Sequence, residues 1–232
     1  MGGEKSPLFS YINYFRYQTI MSIVASKSQR RLIYGFGVND ADYVIKPLIN
    51  GKRKSCPYYK RWEALITRCY SKNSLERYPA YVGCSVSDEW KYFSNFRFWM
   101  EKQDWKGKQL DKDILYPGNK VYSPDKCIFV PSHINLLLTK CDKKRGKYPL
   151  GVYYCESSKG FHSSLCKDGK VLHLGYYNNP LDAHRKYQLE KFRYINQIAN
   201  KQTDNRLKNA LISISNGIME DYENCIETIN YH

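Results

Sequence analysis

The sequence lacks any long hydrophobic run. No stretch of about 18 apolar residues occurs, which is roughly the length that a membrane-spanning helix needs. The most apolar N-terminal window, residues 10–25, is interrupted by Arg16, and no small-residue cleavage pattern follows it. We therefore expect neither a membrane span nor a signal peptide, and we expect the protein to work in the cytoplasm.

Closely spaced cysteine pairs are missing as well. The chain has 8 cysteines, and none of them forms a C-x-x-C pair. Structural zinc sites usually need such short spacings, and a reducing compartment does not favour a disulfide framework. The spacing therefore favours buried free thiols over zinc. The alternative is a zinc site built from four cysteines, namely Cys56, Cys69, Cys84 and Cys127.

Acidic residues are scarce relative to basic ones. The 232 residues include 37 lysines and arginines against 22 aspartates and glutamates, which gives a net charge of +15. Hydrophobic residues make up 42%, so the composition is not that of a disordered chain. The positive excess favours a polyanionic partner, and the 22 tyrosines suit base stacking. A basic chain that is merely soluble is the alternative.

Hydrophobic spacing predicts an α+β fold. Trp62, Leu65, Ile66 and Cys69 recur with the period of a helix. Asp168-Gly169 is a strong hairpin signal between two strand-like runs. The predicted elements are an aromatic-rich helix over 88–100, a strand–turn–strand segment over 110–130 with a helix from residue 132, three short strands from residue 148, a helix over 180–200 and a last helix over 204–222.

A first resemblance covers about residues 56–138. The residues that carry it are Trp62, Arg68-Cys69-Tyr70, Glu89-Trp90 with Phe93 and Phe96, Leu110-Asp111-Lys112, Gly118-Asn119, and Tyr122-Ser123-Pro124 with Cys127. In this order and spacing they resemble a family of phage and bacterial HNH-like endonucleases, many of which are similar to intron-associated homing endonucleases. The resemblance implies a ββα unit that holds a divalent metal beside a phosphodiester.

The same resemblance implies the metal ligands. Asp111 matches the family's first acidic ligand, and Asn119 matches the asparagine that orders the site. Mg²⁺ or Mn²⁺ is the implied cofactor, and Asp113 and Asp125 are candidate oxygen ligands for such a hard cation. In the alternative interpretation Asp111 and Asp113 are turn and capping carboxylates.

Two lysines depart from the family pattern. Lys112 stands where the family has its histidine base, and Lys126 stands where an asparagine is expected. An ammonium group cannot accept the proton of the attacking water, but it can hold the scissile phosphate, which is the role expected of Lys112. His133 then serves as the base, or it merely begins a helix.

A second resemblance covers about residues 147–192. Its residues are Lys147-Tyr148-Pro149-Leu150-Gly151-Val152, Lys159-Gly160-Phe161, Gly169-Lys170, Leu174-Gly175-Tyr176-Tyr177 and Asp182-Ala183-His184. They resemble the plant ethylene-response-factor (Apetala-type) DNA-binding domain. The resemblance implies a three-stranded antiparallel sheet packed on a helix, with the sheet in the major groove of double-stranded DNA.

The strands of this segment lack the arginines of the plant domain. Tyr153 and Cys155 replace two of them, so guanine-specific readout is not expected. Lysines and tyrosines mainly contact phosphates, and a solvated strand face is the alternative. The candidate DNA contacts are Lys143, Lys144, Arg145, Tyr153, Lys159, Ser163, Lys167, Lys170 and His173, whereas Phe161, Leu165, Leu174 and Ala183 are assigned to the core.

Together these patterns predict a modular protein. The expected domains are a basic N-terminal arm (1–55, a solvated tail or a DNA-wrapping arm), an HNH-like nuclease domain (56–140), a three-stranded-sheet DNA-binding domain (141–200) and a C-terminal helical tail (201–232). The leading hypothesis is a metal-dependent DNA endonuclease of the phage homing type, located in the host cytoplasm. The alternative is a catalytically degenerate nuclease that acts only as a DNA-binding or protein-binding regulator or inhibitor.

Overall fold

The computed structural model describes residues 32–139 and 146–231, and the fold is α+β. In chain order the elements are β1 (Leu48–Ile49), β2 (Lys52–Arg53), α1 (Pro57–Tyr70), α2 (Lys72–Arg77), a 3₁₀ turn (Pro79–Tyr81), β3 (Ser85–Val86), a second 3₁₀ turn (Asp88–Lys91), α3 (Phe93–Glu101), β4 (Gln109–Asp111), β5 (Val121–Tyr122), β6 (Ile128–Val130), α4 (Ser132–Leu137), β7 (Val152–Cys155), β8 (Gly160–Lys167), β9 (Lys170–Tyr177), α5 (Pro180–Ala199) and α6 (Asn205–Glu223). None of the described helices is long and apolar enough to cross a membrane.

The described residues form two compact units. Unit 1 comprises residues 32–103 and 120–124, and unit 2 comprises the remaining described residues. The predicted domain boundaries after residues 55 and 200 fall inside these units, whereas the boundary after residue 140 lies outside the described residues. The predicted strand–turn–strand segment over 110–130 is divided between the units, because residues 120–124 belong to unit 1 and the rest belong to the unit that contains the three-stranded sheet.

Aromatic side chains build the core of unit 1. Trp62 of α1 is fully buried, and its indole Nε1 donates a hydrogen bond to the carbonyl of Trp90 at 2.7 Å. The helix predicted over 88–100 is interrupted at Tyr92, whose backbone is extended. The interruption has a physical cause, because Val38 forms a parallel bridge to Tyr92 and accepts the N–H of Phe93 at 3.0 Å.

Residues 32–55 are part of unit 1 and do not form a solvated arm. Gly37 lies against the Trp62 ring so closely that an added Cβ would be 3.0 Å from it. Lys46 forms an ion pair with Glu63 of α1 at 3.1 Å. The predicted arm is therefore corrected for this part of the chain, whereas residues 1–31 lie outside the described residues.

Unit 2 joins two sheets to two long helices. β4 pairs with β6 in antiparallel fashion, and α4 follows β6, which gives the predicted strand–strand–helix order. β7, β8 and β9 form an antiparallel sheet in that order, and α5 packs on one of its faces. The shared apolar core includes Ile128, Val130, Leu165, Ile195, Leu211 and Ile218.

The cysteines of the described residues form no disulfide. Cys56, Cys69, Cys84 and Cys127 are buried thiols, as small apolar residues of the two cores. Among the described residues, no group of three or more histidine, cysteine, aspartate or glutamate side chains is arranged to hold a metal ion.

Candidate functional site

The first candidate site is the loop that follows β4. Asp111 is the last residue of that strand, paired with Ile128 of β6. Its Oδ1 accepts hydrogen bonds from the backbone N–H groups of Asp113 and Ile114, both at 2.8 Å, and this turn places Ile114 in the core. Burial raises the pKa of the Asp111 carboxyl, while the two N–H groups oppose that rise.

Lys112 lies inside this loop. It is 5% exposed, and its Nζ donates to Oδ1 of Asp113 at 2.5 Å and to the backbone carbonyl of Asn119 at 2.6 Å. The Asn119 side chain returns a hydrogen bond to the carbonyl of Lys112 at 3.0 Å. The buried ammonium of Lys112 thus binds two oxygen acceptors of the loop, which differs from the accessible position that a clamp for the scissile phosphate requires.

The loop unites some of the predicted catalytic residues and leaves others apart. Asp111, Lys112, Asp113 and Asn119 form one hydrogen-bonded cluster. His133 is exposed in the first turn of α4, and no described contact joins it to the cluster. The aspartates predicted as ligands, including exposed Asp125, do not form a three-carboxylate group in the described part of the chain.

The divalent cation implied by the first resemblance does not fit this donor set. A hard cation needs several oxygen ligands, usually carboxylates. One oxygen of Asp111 is occupied by backbone N–H groups, and one oxygen of Asp113 is occupied by the Lys112 ammonium. A second positive charge beside that ammonium would be repelled, so the cluster is built around a lysine cation.

The second candidate site is the exposed face of the β7–β8–β9 sheet. The register places Tyr153 opposite His162 and His162 opposite Tyr176, so the three side chains form a row across the sheet. The Tyr153 and His162 rings stack at 5.2 Å, and the Tyr176 ring meets His162 edge-on at 5.5 Å. His173 joins them, with its ring 5.1 Å from His162. We call these four residues the aromatic row.

The aromatic row is accessible to a ligand and is also fixed in place. Tyr153 and Tyr176 are 45% and 46% exposed. The Tyr176 ring lies directly over Gly160, where an added Cβ would be 2.3 Å from its hydroxyl oxygen, and that hydroxyl donates to the carbonyl of Ser158 at 2.7 Å. The Ser158 hydroxyl is 2.8 Å from His162 Nε2. The row is therefore a preformed surface of rings.

Lysines lie at both hairpin turns of this sheet. Lys159 is exposed in the β7–β8 turn with a φ of 49°, and Lys170 is exposed at the β8–β9 turn. Asp168 and Gly169 form this turn, at the position of the predicted hairpin, and both have a positive φ. Tyr194 of α5 anchors the second turn, because its hydroxyl accepts the N–H of Asp168 and donates to that carboxylate, each at 3.0 Å. Positive charge thus borders the sheet at both ends of β8.

Three predicted DNA contacts do not lie on the exposed face. Ser163 is fully buried because it points towards α5 together with Val152, its partner across the strands. Lys167 points to the same side, with its Nζ 5.3 Å from the centroid of the Tyr194 ring. Tyr153 and His173 lie on the exposed face, and Lys159 lies in the β7–β8 turn. Lys170 is paired with Lys167 and so points to the same side of the sheet as Lys167, although it is exposed at its turn. Lys143, Lys144 and Arg145 lie outside the described residues.

Sequence reasoning missed His162 and Tyr176, although a signal for both was present. Ser163 and Leu165 are two residues apart, so they must share a face, and Leu165 had already been assigned to the core. The same alternation places His162 on the opposite, exposed face, and the hairpin pairing then adds Tyr176.

Comparison of the chain with protein-family models, with curated proteins and with solved structures gives no match. The two resemblances therefore remain predictions from the sequence.

Proposed function

We propose that this chain binds double-stranded DNA through the exposed face of its three-stranded sheet. The observation that carries this proposal is the aromatic row, whose rings are exposed and held in place, with lysines at the neighbouring hairpin turns. A three-stranded sheet of this kind can lie in the major groove, where alternate side chains on one face reach base edges. The net charge of +15 supplies the attraction to phosphates.

The chemistry of this face also indicates how the DNA is read. The aromatic row contains no arginine, so it lacks the bidentate donor that selects guanine. Val171, which is 75% exposed on β9, offers an apolar contact of the type that a thymine methyl accepts. The exposed Lys159 and Lys170 would bind phosphates and fix the register without choosing a sequence. We therefore expect binding with modest sequence preference.

Fluorescence anisotropy with a labelled duplex tests this proposal. A double substitution, Tyr153→Thr with Tyr176→Thr, keeps β-forming residues but removes two rings, and we expect at least a tenfold weaker affinity. Tyr92→Thr is the matched control, because Tyr92 is 44% exposed in unit 1. Equal affinities for the double variant and the wild type would exclude the sheet as the interface.

The salt dependence of binding provides a second test. Each phosphate neutralised contributes about −0.9 to the slope of log affinity against log salt. Lys159→Gln should therefore make the slope shallower by about 0.9, and it should do so on every duplex sequence alike. The buried Ser163 offers a negative control, since Ser163→Ala should leave the slope unchanged. A slope near zero for the wild type would contradict DNA binding altogether.

Phosphodiester cleavage at the β4–β6–α4 unit is the second candidate function. The strand–strand–helix order and the joining of Asp111 and Asn119 in one cluster favour it, and the bound Lys112 ammonium opposes it. Nicking of supercoiled plasmid with added Mg²⁺ or Mn²⁺ decides between cleavage and binding alone. Asp111→Asn is the informative variant, because an amide oxygen can still accept the two backbone N–H groups of the turn.

Nicking by the wild type that disappears in Asp111→Asn would support a phage-type endonuclease acting in the cytoplasm of a host cell. Duplex binding without nicking by either protein would support the regulator hypothesis, in which a protein partner is also expected. Neither nicking result decides whether the sheet binds DNA, because the anisotropy measurements test that proposal.

A further inference from the structure

A groove in unit 1 has the composition of a binding site for single-stranded nucleic acid. Its volume is about 820 Å³, which is within the usual range for ligand sites. Three tyrosines and two cations contribute to its wall, namely Tyr34, Tyr78, Tyr81, Lys60 and Arg68. We call this surface the tyrosine groove.

The rings of the tyrosine groove are available for stacking. Tyr34 and Tyr78 are 51% and 53% exposed, although large aromatic side chains are more often buried. Tyr34 has a φ of 50°, a backbone conformation that is unusual for a bulky residue. It is held there by a tight turn in which Ile33 and Gly37 exchange backbone hydrogen bonds at 2.9 and 3.0 Å. The turn therefore presents an exposed aromatic side chain at the edge of the groove.

Arg68 supplies a fixed positive charge beside these rings. Its guanidinium carbon lies 5.0 Å from the centroid of the Tyr81 ring, and its Nη1 donates to the hydroxyl of Tyr122 at 3.2 Å. Its other N–H groups form no hydrogen bond with the described residues. An arginine held by aromatic rings is preorganised to bind a phosphate.

Among the described residues, the only carboxylate that lines the groove is held in an ion pair. Glu63 also lines the wall, and its two oxygens accept hydrogen bonds from Lys46 at 3.1 and 3.2 Å. Lys60 and Arg68 therefore dominate the local field, and an anionic ligand is favoured. Exposed rings beside cations are the combination that recognises an unpaired base together with its phosphate, since every base has a stacking face.

We propose that the tyrosine groove binds single-stranded DNA, with bases stacked on Tyr34 and Tyr78 and a phosphate on Arg68. This site lies in unit 1 and does not depend on the sheet of unit 2. It gives the chain a second contact, one suited to a strand whose bases are unpaired. It therefore adds a ligand that the duplex-binding face does not explain.

Anisotropy titration of the full chain with a labelled oligothymidylate of about 12 nucleotides tests this proposal. The variants are Tyr34→Asn, because asparagine tolerates a positive φ, and Tyr78→Leu, which keeps apolar bulk without a ring. We expect each to weaken single-strand binding about tenfold and to leave duplex binding unchanged. Tyr78→Trp should restore or strengthen binding, which a purely structural role of Tyr78 would not predict.

Tyr116→Leu is the matched control, since Tyr116 is 52% exposed and lies in unit 2. Unchanged single-strand affinity in both groove variants would overturn the proposal. Equal losses on single-strand and duplex probes would also overturn it, because the groove would then be part of a general polyanion surface. Tighter binding of an oligouridylate than of the oligothymidylate would assign the groove to RNA and overturn the DNA assignment. If the Tyr153 and Tyr176 double variant binds duplex DNA as tightly as the wild type, the sheet is excluded as the duplex interface, but the test of the tyrosine groove is unaffected.

Discussion

Gly151 gives the sharpest test of how unit 2 is packed. This residue precedes β7 with a φ of 76°, and a Cβ added to it would lie 2.0 Å from the Tyr187 ring. Tyr187 of α5 is only 6% exposed, and its hydroxyl forms a hydrogen bond with the hydroxyl of Tyr231. The ring therefore cannot move aside freely, and Gly151→Ala must displace either the strand or the helix.

The chain contains a matched control for this substitution. Gly169 has the same φ of 76°, but nothing lies within 4 Å of its added Cβ. Gly169→Ala should therefore lower the free energy of unfolding only by the strain of placing alanine in the left-handed region, about 1 kcal/mol. Gly151→Ala adds the overpacking of a closed core, typically about 1–3 kcal/mol. We expect a total of about 2–4 kcal/mol, so the difference between the two variants isolates the steric contact.

Urea-induced unfolding followed by far-ultraviolet circular dichroism measures both values. This signal reports strongly on α5 and α6, which contain 20 and 19 residues. Measured in a Tyr187→Ala background, the cost of Gly151→Ala should be smaller than in the wild type, because the clashing ring is gone. If Gly151→Ala and Gly169→Ala cost the same, the ring yields without penalty, and the argument that α5 is rigidly seated on the sheet is wrong.

Two further predictions concern ionisable groups. Burial raises the pKa of Asp111, so protonation of this carboxyl stabilises the folded state. This contribution to the free energy of unfolding is complete below the unfolded pKa of about 3.9 and is lost as the pH rises through the folded pKa. Asp111→Asn should therefore be at least as stable as the wild type at pH 7. As the pH falls towards 4, urea unfolding should show the stability of the wild type rising relative to that of Asp111→Asn. Hydrogen bonds from Ser157 and Ser158 lower the pKa of the Cys155 thiol to about 7. Iodoacetamide should therefore modify Cys155 faster at pH 7 than it modifies exposed Cys166, as measured by mass spectrometry. Ser157→Ala should slow the modification of Cys155 several-fold.

Local pattern was enough to predict much of this fold. The helices over 180–200 and 204–222 correspond to Pro180–Ala199 and Asn205–Glu223, because each combines a capping residue with a helical apolar stripe. Asn179 accepts the N–H of Asp182, and Asp204 accepts that of Arg206, both at 2.8 Å. The Asp168-Gly169 hairpin was predicted because few residue pairs tolerate two positive φ angles in succession.

The errors arose where distant segments decide the outcome. The break at Tyr92 depends on Val38, which is 54 residues earlier in the chain and forms the bridge that ends the 3₁₀ turn. The parallel pairing of β3 with β5 joins Ser85 to Val121, and no local pattern specifies such a partner. The division into two units follows from these long-range contacts, so it differs from boundaries drawn at composition changes.

Lys112 shows the same limit within the candidate site. Because Lys112 stands where the resembled family has its histidine base, we expected a phosphate-binding cation there. The loop instead folds around the Lys112 side chain, which is 6% exposed, while that of its partner Asp113 is 54% exposed. Because Asp113 is half exposed and an asparagine oxygen can still accept from the Lys112 ammonium, Asp113→Asn should cost less than Lys112→Met. Lys112→Met leaves the Asn119 carbonyl without its charged donor and should cost about 1.5–3 kcal/mol. Equal losses in urea unfolding would mean that the ion pair, and not the buried carbonyl, holds the loop; the expected inequality would identify Lys112 as the internal cation that closes this turn.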